Sequence, residues 1–245
     1  MVKVAYSERY IYKLPEGHRF PIAKYKRIID KLLKDKIVGP QQIFDPGMVG
    51  KEVLLAHDIE YYHKVIQLAL RADEIRVLGV PLHEASVNRA LNSVAGTVSS
   101  AEIAAKQDKN YGSVGNEIKN ADRESNAIQE LKVNPMLNAD PELKTGPALK
   151  VESELKSKHG INARTAAKKT SSKAFNGDLA GSNAGLGITI GGGYHHAFYD
   201  HGEGFCIFND LAITARYLIY KGLAKRILII DLDVHQGNGT ASILN

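Results

Sequence analysis

The chain has 245 residues, 44% of them hydrophobic, which is enough apolar material for a buried core and excludes a disordered chain. Its 32 basic residues outnumber 27 acidic ones but are scattered, so the charge pattern indicates no specific nucleic-acid binding. The single cysteine, Cys206, excludes an intramolecular disulfide and a cysteine-based zinc site. The N-terminus has no signal-peptide core and no apolar run reaches membrane-spanning length, so we expect a cytoplasmic protein without membrane contact.

Helical spacing dominates the first hundred residues. One helix is predicted over residues 21–38, with Gly39-Pro40 as its stop, a second from an N-cap at Asp58, and a third over 85–106. Short strands are predicted at 2–7 and 42–44. The apolar stripes expected to face the core are Ile22, Tyr25, Ile29, Leu32 and Leu33 in the first helix, Ile59, Tyr62, Ile66 and Ala69 in the second, and Val87, Leu91, Val94 and Val98 in the third.

The composition changes between about residues 107 and 184, where Lys, Asn, Ser, Ala and Gly accumulate. Tyr111 is the only aromatic residue in this stretch before Phe175, so the stretch buries little on its own. Helices are predicted at 124–133 and 148–159, followed by a linker-like tail. We interpret the whole stretch as a surface insert rather than a functional module.

After this insert the pattern is strand, loop, helix, strand and loop. The apolar runs at 188–190 and 227–232 are typical of strands buried on both faces of a parallel sheet. Asn209 or Asp210 can cap the helix between them, and Gly222 can end it. Ligands bind beyond the carboxyl ends of the strands in such sheets, and both polar clusters of this region follow a strand.

The first cluster is Asp231, Asp233 and His235, which alternate along the predicted strand and therefore point to one side. A cation is a good explanation for carboxylates and an imidazole at the end of an apolar strand, and this donor mixture suits zinc or iron(II) better than magnesium. Helix capping explains Asp-Leu-Asp alone equally well. The second cluster, His195-His196 after three glycines, favours general acid–base chemistry beside the carboxylates.

The segments GGGYHHAFYDHGEGFCIFND and IIDLDVHQGNGTA resemble the zinc-dependent histone deacetylase family, most closely its bacterial and class IV-like members. The segment HRFPIAKYKRI and residues 93–97 are also similar to the family's N-terminal portion. The resemblance covers residues 1–106 and 185–245. It implies one partial domain over residues 1–245, with an incomplete three-layer α/β fold of the arginase/deacetylase type, in which helices cover both faces of a mainly parallel sheet.

The resemblance also implies roles for individual residues. Asp233 and His235 correspond to two of the three protein ligands to zinc, and His195 and His196 to the acid–base pair. Asp231 is expected to hold His195 by a hydrogen bond, and family members often bind potassium beside this aspartate. The implied activity is hydrolysis of an acyl amide on an acetylated protein or a small acetylated amine.

Two further features of the site follow from the same resemblance. Gly204 and Phe205 are expected to line a channel for the acyl-lysine side chain. Asn238 stands where many relatives place an aspartate beside His196, and an amide orients the ring without adding charge. We therefore expect His196 to be neutral near pH 7, and an Asn238→Asp change should make it easier to protonate.

The resemblance is incomplete, because no motif corresponds to the third zinc-ligating aspartate or to the tyrosine that stabilises the oxyanion. The resemblance therefore implies a chain that is truncated relative to the family, and we expect it to be a poor enzyme by itself. The alternatives are an inactive fragment with a binding or regulatory role and an arginase-like binuclear hydrolase, although Gly237 stands where the latter needs an aspartate. An aspartate-nucleophile phosphatase gives no role to the histidine pair. The sequence specifies neither the substrate nor the oligomeric state.

Overall fold

A parallel sheet of three short strands organises the chain in the computed structural model, which describes residues 2–107 and 185–245. The strands are β1 (Lys3–Ala5), β2 (Ile43–Phe44) and β3 (Gly187–Thr189), in the order β2-β1-β3. Val4 lies opposite Ile43 on one side and opposite Ile188 on the other. The helices predicted at 124–133 and 148–159 lie outside the described residues.

Six α-helices surround this sheet in the described part of the chain. They are α1 (Lys24–Lys34), α2 (Ile59–Ile66), α3 (Ala72–Leu78), α4 (Glu84–Gln107), α5 (Asp210–Tyr220) and α6 (Asn238–Leu244). Short 3₁₀ turns occupy Glu8–Tyr10, Pro40–Gln42 and Lys51–Leu55. None of these helices has both the length and the apolar character that crossing a membrane requires.

Both faces of the sheet are covered by helices, as the predicted α/β class requires. Val4 joins a buried cluster with Ile29 of α1, on one face. Ala5 points to the other face, where it lies beside Gly96 of α4, because successive side chains of a strand alternate. The class predicted from the sequence is therefore confirmed.

Two of the three N-terminal helices match their predicted core faces. In α1 the side chains of Tyr25 and Ile29 are buried, and the predicted stripe of α4 is buried at all four positions. The predicted face of α2 is wrong. Its buried residues are Tyr61 and Val65, while Ile59 and Ile66 are exposed.

A tertiary hydrogen bond explains the different face of α2. The Tyr61 hydroxyl donates to the carbonyl of Ile207 at 2.8 Å, which turns this side of the short helix toward the core. The N-cap was predicted correctly, since the Asp58 carboxylate accepts hydrogen bonds from the backbone N–H groups of Glu60 and Tyr61. Helix α3 was not predicted, because seven residues carry too short a periodic pattern.

The strand predicted at 227–232 is not formed. The segment is irregular and its apolar side chains face solvent, with Leu228 82% and Leu232 91% exposed. A parallel strand needs a hydrogen-bonded neighbour, and the strands of the described sheet pair only among themselves, with β3 at its edge. Ile188 in β3 is also partly exposed, so neither apolar run is buried on both faces.

Candidate active site

The loop that carries the histidine pair begins with three glycines, one residue after the end of β3. A Cβ at Gly191 would lie 2.6 Å from the ring of Tyr10, and one at Gly192 would lie 2.6 Å from a carboxylate oxygen of Asp210. Gly193 has φ +93°, in the region that favours glycine. The glycines therefore let the backbone pass close to two buried side chains before it reaches His195.

His195 is buried and is held by Asp231. Its Nδ1 lies 2.6 Å from Asp231 Oδ2, and because a carboxylate oxygen accepts, Nδ1 carries the proton and donates. Its Nε2 is left for chemistry. This hydrogen bond from His195 is the main reason that the pKa of Asp231 is lowered.

His196 has a parallel arrangement with a neutral partner. Its Nδ1 lies 2.7 Å from Asn238 Oδ1, which is an acceptor, so Nδ1 again donates. The two imidazole rings lie 4.2 Å apart between centroids. The structure thus places two imidazoles side by side, each with Nδ1 occupied by an oriented acceptor.

Asp233 and His235 form an exposed pair at the edge of this site. Asp233 Oδ1 accepts hydrogen bonds from the backbone N–H of His235 at 2.7 Å and from its Nδ1 at 2.9 Å, which together lower the pKa of Asp233. The ring of His235 lies 5.9 Å from that of His196. The side chain of Asp233 is 50% exposed and that of His235 is 72% exposed.

Hydrogen bonds, rather than the predicted strand, link Asp231 to Asp233 and Asp233 to His235. Asp231 Oδ1 accepts from the Asp233 N–H at 2.9 Å, just as Asp233 accepts from His235, so each side chain bonds the backbone two residues on. Asp233 and His235 place a carboxylate oxygen and an imidazole nitrogen side by side, which are donor types that zinc accepts. The pair therefore fits as two ligands, although residues 2–107 and 185–245 hold no cluster of three His, Cys, Asp or Glu suited to a metal.

Gly204 lies against His196, and Phe205 follows it in the chain. A Cβ at Gly204 would lie 2.7 Å from the ring of His196, so the backbone packs directly against that imidazole. Phe205 has φ +71°, an uncommon value for this residue type, and its N–H donates to the carbonyl of Leu78 at 2.7 Å. The ring of Phe205 stands 5.5 Å from that of Phe20.

Two residues that the sequence assigned no catalytic role are placed as follows. His18 is half-buried, and its Nε2 donates to the carbonyl of Gly79 at 3.1 Å, which leaves it at the edge of the Phe205 aromatic cluster. Cys206 is buried, and burial raises the pKa of its thiol to about 12. A protonated, buried thiol makes Cys206 a small core residue rather than a nucleophile.

Three buried polar residues near the site were not predicted to belong to it. Arg89 hydrogen-bonds Tyr194 beside the histidines, His57 accepts from the backbone of Asn209, and Asp210 binds the glycine loop. Asn209-Asp210 was recognised only as a helix cap. The contacts of Arg89, His57 and Asp210 given above join residues that are 16 to 152 positions apart, so local spacing could not reveal them.

His57 makes the stability of the fold sensitive to acid. Burial lowers its pKa from 6.5 to about 4, against the opposing effect of the backbone at Tyr199 and Phe198, and its Nε2 accepts the N–H of Asn209 at 2.9 Å. The unfolded chain takes up this proton near pH 6.5 and the folded chain does not. The free energy of unfolding should therefore be undiminished above pH 6.5 and fall by about 3 kcal/mol as the pH approaches 4.

This prediction is checked by urea denaturation between pH 4 and 7. His57→Gln keeps a hydrogen-bond acceptor and removes the titration, so it should flatten the pH dependence. His63→Gln, the same change at a less buried histidine of α2, should leave the dependence intact. Equal pH dependence in the wild type and His57→Gln would show that another group is responsible.

The fold and the site together define a class of protein. A parallel sheet flanked by helices, with paired histidines after a glycine-rich loop and an Asp-x-Asp-x-His segment beside them, is a deacetylase-like α/β domain. The family profile of the histone deacetylase domain matches residues 18–245. The chain belongs to the histone deacetylase family.

Individual relatives agree with this assignment. An uncharacterized protein of Picosynechococcus sp. is 30% identical over 241 residues, which is 98% of this chain and 55% of that protein. The acetoin utilization protein AcuC of Staphylococcus aureus is 53% identical over 64 residues, 26% of this chain and 16% of its own length. Histone deacetylase 2 of Arabidopsis thaliana is 46% identical over 55 residues, 22% of this chain and 14% of its own. The chain thus spans little more than half the length of the Picosynechococcus protein and a much smaller share of the other two.

Proposed function

We propose that the chain carries part of the active site of a zinc-dependent amide hydrolase that removes acetyl or other acyl groups from lysine side chains or related amines. The observation that carries this proposal is the pair of imidazoles 4.2 Å apart, each with its Nδ1–H held by an oriented acceptor. Both Nε2 atoms are then left to exchange protons with a substrate. Membership of the histone deacetylase family supports the same reaction class.

The two histidines divide the proton transfers between them. His196, oriented through Nδ1 by the uncharged Asn238, presents Nε2 to accept the proton of the attacking water. His195, whose Nδ1 proton is held by Asp231, gives the leaving amine a second proton carried on Nε2, and it is recharged with the proton that His196 takes from water. Asp231 and Asn238 hold Nδ1 of each ring as a hydrogen-bond donor, so both Nε2 atoms are oriented before substrate arrives.

Asp233 and His235 are proposed as two protein ligands of the metal, which family resemblance identifies as zinc, with iron(II) as the alternative. When bound, such an ion polarises the acyl carbonyl and acidifies water. Potassium beside Asp231 is proposed on the same resemblance. Asp231 has one carboxylate oxygen on His195 and the other on the Asp233 N–H, so it also couples the proposed ligands to the histidine pair.

Gly204 and Phe205 are proposed to line the channel for the acyl-lysine side chain. The backbone at Gly204 packs on His196, and the Phe205 ring extends from there toward Phe20. An aromatic wall favours a long apolar side-chain stem over a charged one. The proposed substrates are therefore an acetylated protein or a small acetylated amine.

The test is acetate release from an acetyl-lysine peptide by the whole chain, with zinc or iron(II) added. His196→Gln should lower the rate about 10²- to 10⁴-fold, because it removes the proton acceptor. His201→Gln is the matched control, since His201 pairs with Asp200 outside the site and should retain full activity. Turnover that is equal in both variants, or that needs no metal, would contradict the proposal.

A non-catalytic role is the second candidate, and one observation favours it. Asp233 and His235 are largely exposed and bonded to each other, and the described residues contribute no third ligand. A binding or regulatory chain would retain the acetyl-lysine peptide without hydrolysing it. Equilibrium binding of that peptide with no acetate release, at any tested metal concentration, is the result expected from this alternative.

A further inference from the structure

Asp210, the first residue of α5, is fully buried and binds the histidine loop from below. Its Oδ1 accepts the N–H of Tyr194 at 2.7 Å, and its Oδ2 accepts the N–H of Gly193 at 3.0 Å and the hydroxyl of Thr97 at 2.5 Å. Both carboxylate oxygens are therefore engaged by donors. Burial raises the pKa of Asp210, and these hydrogen bonds oppose that shift.

Asn209, the residue before it, binds the other end of the same loop. Its Nδ2 donates to the carbonyl of Ala197 and to the hydroxyl of Thr240, both at 3.0 Å, while its Oδ1 caps α5 by accepting the N–H of Ala212. The N–H of Thr240 in turn donates to the carbonyl of His195 at 3.0 Å. Four backbone groups of residues 193–197 are thereby tied to two neighbouring side chains and to α6.

We propose that Asn209 and Asp210 are positioning residues that set the orientation of His195 and His196. This inference rests on the proposed function only for its catalytic meaning, since the anchoring contacts are independent of substrate and metal. The rings are fixed at Nδ1 by Asp231 and Asn238, and the backbone below them is fixed by Asn209 and Asp210. Loss of the lower anchors lets the backbone shift and pulls the rings away from their acceptors.

The glycine run provides an independent reason to place this function at Asp210. A Cβ at position 192 would lie 2.6 Å from Asp210 Oδ2 and 2.6 Å from Thr97 Oγ1, so the loop approaches the carboxylate as closely as a glycine allows. An ordinary helix cap, such as Asp58 on α2, binds only the N–H groups of its own first turn. Asp210 instead binds a loop that lies 16 residues earlier in the chain.

The test compares Asp210→Asn with Asp58→Asn, the same isosteric change at an ordinary cap. The readout is the NMR signal of the Nδ1–H protons of His195 and His196 at one fixed pH, without metal or substrate. An amide at position 210 presents a donor to backbone N–H groups that are themselves donors. We expect these two ring protons to exchange with solvent at least about tenfold faster in Asp210→Asn and to be unchanged in Asp58→Asn.

Thr97→Val provides a second, milder variant in case Asp210→Asn does not fold. It removes one of the donors to Asp210 and should accelerate the same exchange to a smaller extent. Unchanged exchange of both ring protons in a folded Asp210→Asn or Thr97→Val protein would overturn the inference. Acetate release by the wild-type chain is measured separately. If the wild type does not hydrolyse the peptide while Asp210→Asn still shows the faster exchange, the proposed function alone is contradicted.

Discussion

Replacing Arg89 with alanine should lower the free energy of unfolding by about 3–5 kcal/mol. The guanidinium is buried, and its Nε donates to the carbonyl of Tyr10 at 3.1 Å. Its Nη2 donates to the hydroxyls of Tyr25, at 2.6 Å, and Tyr194. Alanine leaves these three oxygen atoms without their donor and opens a cavity between the rings of Phe20, Tyr25 and Tyr194, which lie 4.8–5.1 Å from the guanidinium carbon.

The measurement is urea denaturation at pH 7, and two variants make it specific. Arg89→Met keeps most of the side-chain volume, so its loss should be smaller than that of alanine and isolates the hydrogen bonds. Arg9→Ala removes an exposed arginine paired with Asp45 and should leave stability nearly unchanged. If Arg89→Ala behaves like Arg9→Ala, the buried guanidinium does not stabilise the fold.

Replacing Leu78 with alanine should cost about 2–5 kcal/mol of unfolding free energy. Leu78 is the last residue of α3, is fully buried, and belongs to the main hydrophobic cluster with Val94 and Phe208. Its carbonyl also accepts the N–H of Phe205. The lost side chain leaves a cavity beneath the loop that carries Phe205, so the loss should reach the proposed channel as well as the core.

Leu228→Ala is the matched control for this prediction, because the same atoms are removed from a side chain that is 82% exposed. It should change the free energy of unfolding by no more than about 0.5 kcal/mol. Urea denaturation of both variants under one condition gives the comparison. Similar values for the two leucines would mean that α3 does not pack as the structure describes.

Local patterns predicted the elements whose signals lie within one helix or one turn. The buried stripe of α4, the N-cap at Asp58 and the cap at Asn209 depend on residues within a few positions of one another, and the structure confirms them. The face of α2 depends on a hydrogen bond to Ile207, 146 residues away, and was predicted wrongly. The single partial domain with a surface insert stays a prediction.

The strand predicted at 227–232 was wrong because its formation depends on a partner that is distant in the chain. An apolar run indicates a buried strand only where a neighbouring strand completes its hydrogen bonds, and the sequence of the run contains no information about that neighbour. The site was predicted from alternation on this strand. In the structure, local hydrogen bonds link Asp231 to Asp233 and Asp233 to His235 in place of the strand, and the convergence of all three side chains on one metal stays a prediction.

The contacts between distant segments were beyond prediction from the sequence. Asp210 reads as a helix cap, yet Thr97, one of its donors, lies 113 residues earlier. Arg89 lies on a helix beside apolar positions, and the partners that explain its burial come from Tyr10, Tyr25 and Tyr194. The burial of Asp210 and Arg89 near the histidines therefore follows from tertiary packing.

Because Cys206 is buried, the rate at which its thiol is alkylated measures local opening of the surrounding structure. This only thiol of the chain packs with Tyr194 and Ala197, on either side of the histidine pair, and its raised pKa keeps it unreactive while the loop is closed. An alkylating reagent can then reach it only during transient opening of that loop. The labelling rate consequently counts how often the region around the histidines unfolds locally, without any probe being introduced.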